Sequence, residues 1–218
     1  MDSPLDIIYI DNHLLVVNKS AGMLVQGDIT GDLSLLEAAR DYLKKEFNKP
    51  GNVYLGLVHR LDRPVSGVIV LARTSKAAGR LSQQIREKLV KKTYWALVEG
   101  NPPQRQKLVN DIERTGATSR IVKTGTGKSA VLEYQRLGTV QDSSLLEIDL
   151  STGRHHQIRL QLSNIGFPII GDFRYGSKRK FPNRSIGLHA RTISLKHPVK
   201  DEVMVFETAP PHYWPSLA

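Results

Sequence analysis

Residues 58–71 read Val-His-Arg-Leu-Asp-Arg-Pro-Val-Ser-Gly-Val-Ile-Val-Leu. In this stretch a polar turn leads into the apolar run Val68–Leu71, and that order predicts a loop at the mouth of a buried strand. Asp62 is the one acidic residue of the turn, and three residues that can carry positive charge surround it: His59, Arg60 and Arg63. Because neighbouring positive charge favours the charged form of a carboxyl group, we expect Asp62 to be ionised.

An ionised Asp62 has two possible tasks. A carboxylate nucleophile allows covalent catalysis without a metal, a cysteine or a cofactor. The competing interpretation is structural, with an ion pair between Asp62 and an arginine that fixes the loop. The residues around Asp62 leave both interpretations open.

Hydrophobic periodicity predicts an α+β fold, with a mostly antiparallel mixed sheet and flanking helices. Apolar residues recur every four positions between residues 33 and 47, and Ser34 with Glu37 matches the capping box that begins a helix. Further helices are expected at residues 75–91 and 158–165. Strands are expected at residues 7–10, 14–17, 53–58, 68–71, 93–99, 130–137, 145–150 and 203–206 and around residue 193, with polar hairpins or a loop at 104–128.

The amino-acid composition indicates a globular domain with a strongly basic charge balance. The chain has 218 residues and 40% hydrophobic content, enough for a sizeable core, and we expect one domain over residues 1–218. Lysine and arginine number 31 against 21 acidic residues, a formal net charge of +10. A domain this basic commonly binds a polyanion, and nucleic acid is the leading candidate.

The same composition narrows the chemistry and the location. The chain contains no cysteine, which excludes disulfides, thiolate zinc sites and a cysteine nucleophile. Its apolar runs are far shorter than a membrane span, and residues 1–4 lack the features of a signal peptide. We therefore expect a cytoplasmic protein without membrane contact.

A second polar constellation occupies residues 151–159, Ser-Thr-Gly-Arg-His-His-Gln-Ile-Arg. Arg154 and Arg159 place positive charge at the start of a helix, which is unfavourable unless an anion lies nearby. The anion is either a phosphate or Asp62, since both accept the forked donors of arginine. The alternative is a solvent-exposed helix start. Tyr94, on the strand expected at 93–99, is by itself typical of core packing.

Two further patterns are discarded. Residues 124–129 look like a phosphate-binding loop, but Val122 stands where that pattern needs glycine, and an alternating strand pattern follows instead of a helix. His155 and His156 are adjacent, so they point to different sides of a helix, and no carboxylate lies nearby at ligand spacing. We therefore expect no metal site.

Taken together, the motifs resemble the RluA-type pseudouridine synthases, which isomerise uridine in RNA. They occur in the family's order: Leu15–Lys19, His59–Asp62 with Ser66-Gly67, the strand around Tyr94, Gly127–Ala130, Thr152–Arg159 and Gly166–Asp172. The resemblance covers nearly the whole chain. Ser20, Val65 and His155 depart from the usual residues, and they put substrate preference in doubt more than activity.

The resemblance implies a pseudouridine-synthase-like catalytic domain with a central cleft that works without cofactor or metal. Asp62 would be the nucleophile, attacking either the sugar or the uracil ring, after which the base rotates and rejoins through carbon 5. Arg159 would pair with Asp62, and Tyr94 would stack on the target base. Arg60 would fill the gap that the flipped uridine leaves. The remaining residues implied in RNA binding are His59, Arg63, Arg154, His156, Gln157, Lys19, Lys92 and Lys128.

The leading hypothesis is therefore an isomerase that flips a uridine out of a tRNA or rRNA stem-loop and acts as a monomer. We expect no separate N-terminal RNA-binding domain, so target selection would fall to residues 104–128 and 75–92. Two alternatives belong to other classes. One is an RNA-binding protein with an inactive synthase fold. The other is a metal-dependent nuclease using Asp62, which would need clustered carboxylates.

Overall fold

The computed structural model describes residues 5–215. They divide into two compact units, unit 1 with residues 5–90 and 192–209 and unit 2 with residues 91–191 and 210–215. The expected single domain over residues 1–218 and its central cleft stay predictions.

Unit 1 contains the strand that follows the Asp62 turn. Its first four strands are β1 (Asp6–Ile10), β2 (Leu14–Lys19), β3 (Gly56–Leu57) and β4 (Ser66–Ala72). β2 pairs antiparallel with β1 and β4, and β3 pairs antiparallel with β4. Every residue of β4 is buried, which confirms the buried strand predicted from its apolar run. The strand expected at 53–58 is shorter than predicted, since only two of its residues pair.

Two helices of unit 1 have ends that local chemistry explains. Helix α1 (Leu35–Glu46) begins with the predicted capping box, in which Ser34 accepts the Glu37 N–H and Glu37 accepts the Ser34 N–H. Helix α2 (Ser75–Arg86) ends earlier than the expected residue 91. Lys88 has a φ of 59°, a left-handed conformation that an α-helix does not accommodate.

Unit 2 is built on a sheet of five antiparallel strands in the order β5-β9-β8-β6-β7. Their bounds are β5 (Lys91–Glu99), β6 (Arg105–Thr115), β7 (Thr118–Val122), β8 (Lys128–Val140) and β9 (Ser143–Leu150). Of the two forms predicted for the polar stretch 104–128, hairpins or a loop, the structure contains a hairpin of β6 and β7. Residues 123–127 form the turn into β8, which confirms that a strand follows the discarded phosphate-loop pattern.

The rest of unit 2 positions the residues of the second constellation. Helix α3 (Gln157–Asn164) ends before Gly166, whose φ of 88° suits a glycine at this position. Leu97, Leu145, Ile170 and Trp214 form a core cluster. The chain then continues through β10 (Leu188–Lys196), whose residues 192–196 belong to unit 1 and pair antiparallel with β11 (Val203–Glu207). Within residues 5–215 no helix is long and apolar enough to cross a membrane.

Candidate active site

The Asp62 turn is held by apolar anchors on both sides. Leu61 and Val65 are 7% and 2% exposed, so the backbone of the turn is fixed in the core of unit 1. The Val65 N–H donates to the Asp62 carbonyl at 3.1 Å and closes the turn. The Asp62 side chain itself is only partly buried. The sequence thus places the Asp62 carboxylate on a rigid support, which is what a positioned nucleophile would require.

Lys19 joins the end of β2 to the Asp62 turn from inside the fold. Its side chain is fully buried, and Nζ lies 2.9, 2.9 and 3.3 Å from the carbonyl oxygens of Ser20, Met23 and Arg63. Three carbonyl acceptors match the three donors of an ammonium group. The structure gives Lys19 this buried position, and RNA contact by Lys19 stays a prediction.

The charge of Lys19 depends on pH in the neutral range. Burial lowers the pKa of Lys19 to about 7, the negative charge of Asp62 raises it, and Arg63 lowers it. The positive charge that Lys19 places beside the Asp62 turn is therefore partly lost as the pH rises above neutral.

We expect Lys19 to make the stability of the chain rise with pH. The pKa of Lys19 is lower in the folded chain than in the unfolded chain, so unfolding above pH 7 takes up a proton and becomes less favourable. Between pH 7 and pH 9 the wild type should gain about 2 kcal/mol over a Lys19→Met variant. Denaturant unfolding at both pH values measures the difference. A Lys44→Met variant removes an exposed lysine of α1, and its free energy of unfolding should change with pH as that of the wild type does. If the free energy of unfolding changed equally with pH in wild type and in Lys19→Met, the lowered pKa of Lys19 would be contradicted.

Arg63 and His59 support the turn through their own hydrogen bonds. Arg63 Nε donates to the Gly22 carbonyl at 3.0 Å, and its Nη2 pairs with Asp32 at 2.5 Å. His59 Nε2 accepts the Val70 N–H at 3.0 Å, which places the proton of the neutral ring on Nδ1. Both residues have structural contacts besides their predicted RNA contacts. Arg60 is exposed to solvent, as an RNA-contacting residue must be.

Strand β5 carries Lys92 and Tyr94 on one face, because side chains two residues apart point to the same side of a sheet. Tyr94 is 8% exposed and lies opposite Ile148 of β9. Burial lowers the pKa of Lys92 to about 8, so its charge also weakens in mildly alkaline solution.

Arg159 forms a buried ion pair within unit 2. Its Nε and Nη2 donate to the two carboxylate oxygens of Asp172 at 2.6 and 2.8 Å, and the two side chains are 7% and 2% exposed. This bidentate geometry fixes the plane of the guanidinium group. The predicted pairing of Arg159 with Asp62 stays a prediction. Asp172 ends the last family-like motif, Gly166–Asp172, but no residue near it in the sequence indicates this ion pair.

A hydrogen-bonded loop precedes α3. The buried Gln157 Oε1 accepts from Thr152 Oγ1 at 2.8 Å and from the Arg154 N–H at 3.0 Å. Arg154 Nε donates to the Ser129 carbonyl at 2.9 Å, beside the exposed Lys128. Gln157 therefore shapes the loop from inside, while Lys128 and Arg154 remain exposed. His156, at the start of α3, is partly buried.

Metal ligands are not assembled in the part of the chain that the structure describes. Within residues 5–215 no group of three or more histidine, cysteine, aspartate or glutamate side chains is placed to hold a metal ion.

Comparison with known proteins identifies the family. The family model for RNA pseudouridylate synthases matches residues 13–164, a range that includes Asp62, Tyr94 and Arg159. The chain belongs to this family. It is 37% identical over 211 residues to the uncharacterised RNA pseudouridine synthase YhcT of Bacillus subtilis, a match that covers 93% of the chain and 68% of the relative.

Two further comparisons agree with this membership. The chain is 33% identical to ribosomal large subunit pseudouridine synthase D of Zymomonas mobilis, over 96% of the chain and 70% of the relative. The solved structure of human RNA pseudouridylate synthase domain containing 4 superposes with a TM-score of 0.79 at 26% identity, over 95% and 89% of the two chains. The leading hypothesis is confirmed for the family, the α+β fold and the reaction: the chain is an RNA pseudouridine synthase, an isomerase.

Proposed function

We propose that this synthase isomerises a uridine in the RNA of the large ribosomal subunit, with Asp62 as its nucleophile. The observation that carries the proposal is the Asp62 turn itself, which buried Leu61 and Val65 hold rigid and which Lys19 Nζ contacts at the Arg63 carbonyl, at 3.3 Å. We propose large-subunit ribosomal RNA as the substrate because two relatives are named as ribosomal large subunit pseudouridine synthases. They are synthase C of Vibrio parahaemolyticus, at 35% identity, and synthase D of Zymomonas mobilis, at 33% identity.

The reaction needs no external reactant. The Asp62 carboxylate attacks the uridine at the sugar or at the uracil ring, and the bond between N1 and the sugar breaks. The base then rotates, carbon 5 bonds to the sugar and the carboxylate is released. Carbon 5 gives up its proton and N1 takes up a proton. No net atom is gained or lost, and a carboxylate nucleophile allows covalent catalysis of this kind without a metal or a cofactor.

Three side chains have proposed roles around Asp62. Tyr94 stacks on the target base and assists removal of the carbon 5 proton. Arg159 pairs with Asp62, and its rigid bidentate contact with Asp172 supports a role that needs a fixed guanidinium. Arg60, exposed on the same turn as Asp62, fills the gap that the flipped base leaves in the RNA.

The exposed basic residues supply the remaining RNA contacts. Lys128 and Arg154 are suited to the phosphate backbone, because both are exposed and positively charged. We infer a structured RNA with an accessible loop, because an unstacked base costs little to flip. The enzyme would act on this RNA as a monomer in the cytoplasm.

The RNA target is tested by mapping pseudouridine after incubation of the purified chain with separate substrates. Transcripts of large-subunit rRNA, small-subunit rRNA and a tRNA pool are treated with wild-type enzyme or the Asp62→Asn variant. We expect conversion at a defined uridine of the large-subunit RNA, by wild type alone. Conversion confined to tRNA would refute the ribosomal target while leaving the reaction intact.

A further inference from the structure

Arg159 also contacts a second residue of the segment that contains Asp172. The guanidinium carbon of Arg159 lies 5.1 Å from the centre of the Tyr175 ring, which is within the range of a cation–π contact. Tyr175 is 9% exposed and ends a short 3₁₀ turn, Phe173–Tyr175, directly after Asp172. One short segment thus holds the arginine twice, by a carboxylate and by an aromatic ring.

The hydroxyl group of Tyr175 is fixed by two other elements. It accepts the N–H of Ser119 in β7 at 3.0 Å and lies 2.8 Å from Nδ1 of His156 at the start of α3. Since the Ser119 N–H is the donor in the first bond, the single hydroxyl hydrogen of Tyr175 is available for the bond to His156 Nδ1. Burial raises the pKa of Tyr175, which keeps this hydrogen in place.

His156 is a strained residue that these contacts support. It has a φ of 55° and a ψ of 23°, a left-handed conformation that is costly for a residue other than glycine and persists only where neighbours hold it. Its ring stacks on His155 with centres 3.8 Å apart. His155 is in turn bound through its carbonyl and Nδ1 to the Ser119 hydroxyl, at 2.8 and 2.9 Å.

We propose that Tyr175 is a positioning residue for Arg159, and that its hydroxyl sets the ring by bonding the β6–β7 hairpin and the start of α3. The inference rests on the proposed function, because it makes the placement of Arg159 matter for uridine isomerisation. Ser119 and His156 determine where the ring lies, and the ring with Asp172 determines where the guanidinium lies. We assign Tyr175 itself no contact with a reacting atom.

The test removes the Tyr175 hydroxyl and keeps its ring. In single-turnover assays Tyr175→Phe should lower the rate constant of conversion about tenfold, ~1.4 kcal/mol, because small misplacements of catalytic groups cost much rate. The Kd for RNA should stay within about twofold, since the ring and the charge of Arg159 remain. The matched control is Tyr134→Phe, a buried tyrosine of the same unit whose hydroxyl donates to Gln106 at 3.0 Å. This control should lose a hydrogen bond without a change in rate.

A second measurement does not depend on activity. The Nε–H signal of Arg159 is followed by ¹H–¹⁵N NMR and assigned by its loss in Arg159→Lys. In Tyr175→Phe this signal should shift and exchange faster with water, whereas Tyr134→Phe should leave it unchanged. An unchanged Arg159 signal and rate in Tyr175→Phe, or equal effects in both phenylalanine variants, would overturn the inference. If the wild type converts no uridine, the proposed function fails, and the NMR comparison still decides whether Tyr175 positions Arg159.

Discussion

Uridine conversion is expected to fall by about 10⁴-fold or more when Asp62 is replaced by asparagine, as is found when a catalytic nucleophile is removed. Asparagine keeps the shape of the side chain but not the negative charge that attacks the uridine. The partly buried side chain lies on a turn held by Leu61 and Val65, so the fold should survive. RNA affinity should remain within a few fold of wild type, because the basic residues are untouched.

A matched variant separates loss of the nucleophile from loss of any carboxylate. Asp41→Asn removes an exposed carboxylate of α1 in the same unit, and it should convert uridine at the wild-type rate. Single-turnover conversion, RNA binding and thermal unfolding are measured for both variants. Appreciable turnover by Asp62→Asn would remove Asp62 from the mechanism and return it to the structural alternative, an ion pair that fixes the loop.

The second large effect is expected at Asp172. Replacing it by alanine leaves the buried guanidinium of Arg159 without its bidentate partner, and breaking a buried pair in this way costs about 3–5 kcal/mol of folding free energy. The exposed pair of Arg120 and Glu113, in the same unit, provides the control. Glu113→Ala should cost less than ~1 kcal/mol, because solvent screens an exposed pair. Denaturant unfolding measures both variants, and similar costs would contradict the structural role of the buried pair.

A double variant then separates stability from catalysis. Arg159→Met combined with Asp172→Leu replaces the ion pair by apolar side chains, which should recover most of the stability lost in Asp172→Ala. The same variant should not recover uridine conversion, because it lacks the guanidinium group that we propose as the partner of Asp62. Recovery of both properties would show that Arg159 serves the fold alone.

Features set by neighbours in the sequence were predicted well. The capping box of α1 depends on Ser34 and Glu37, three residues apart, and the structure contains both of its hydrogen bonds. The buried strand β4 was predictable because its apolar run is continuous. The early end of α2 was not, since the periodicity extends to Leu89, which is 61% exposed beyond the end of the helix.

Features that depend on distant contacts escaped the sequence analysis. Lysine is almost never fully buried, so nothing local indicated that Lys19 would lie in the core with its Nζ on the Arg63 carbonyl, 44 residues away. Arg159 was expected to need an anion, either a phosphate or Asp62, and the structure pairs it with Asp172, which comes from a turn that follows α3. The sequence indicated that Arg159 needs a negatively charged partner. Which residue is that partner depends on how the chain folds.

The most direct test of the central claim follows the hydrogen at carbon 5 of the target uridine. RNA labelled with tritium at this position is incubated with the purified chain, and the tritium released to water is counted. We expect wild type to release tritium in an amount equal to the pseudouridine formed, and Asp62→Asn to release none. Tritium release at the same rate from both enzymes, or none from a folded wild type that binds the RNA, would contradict the claim.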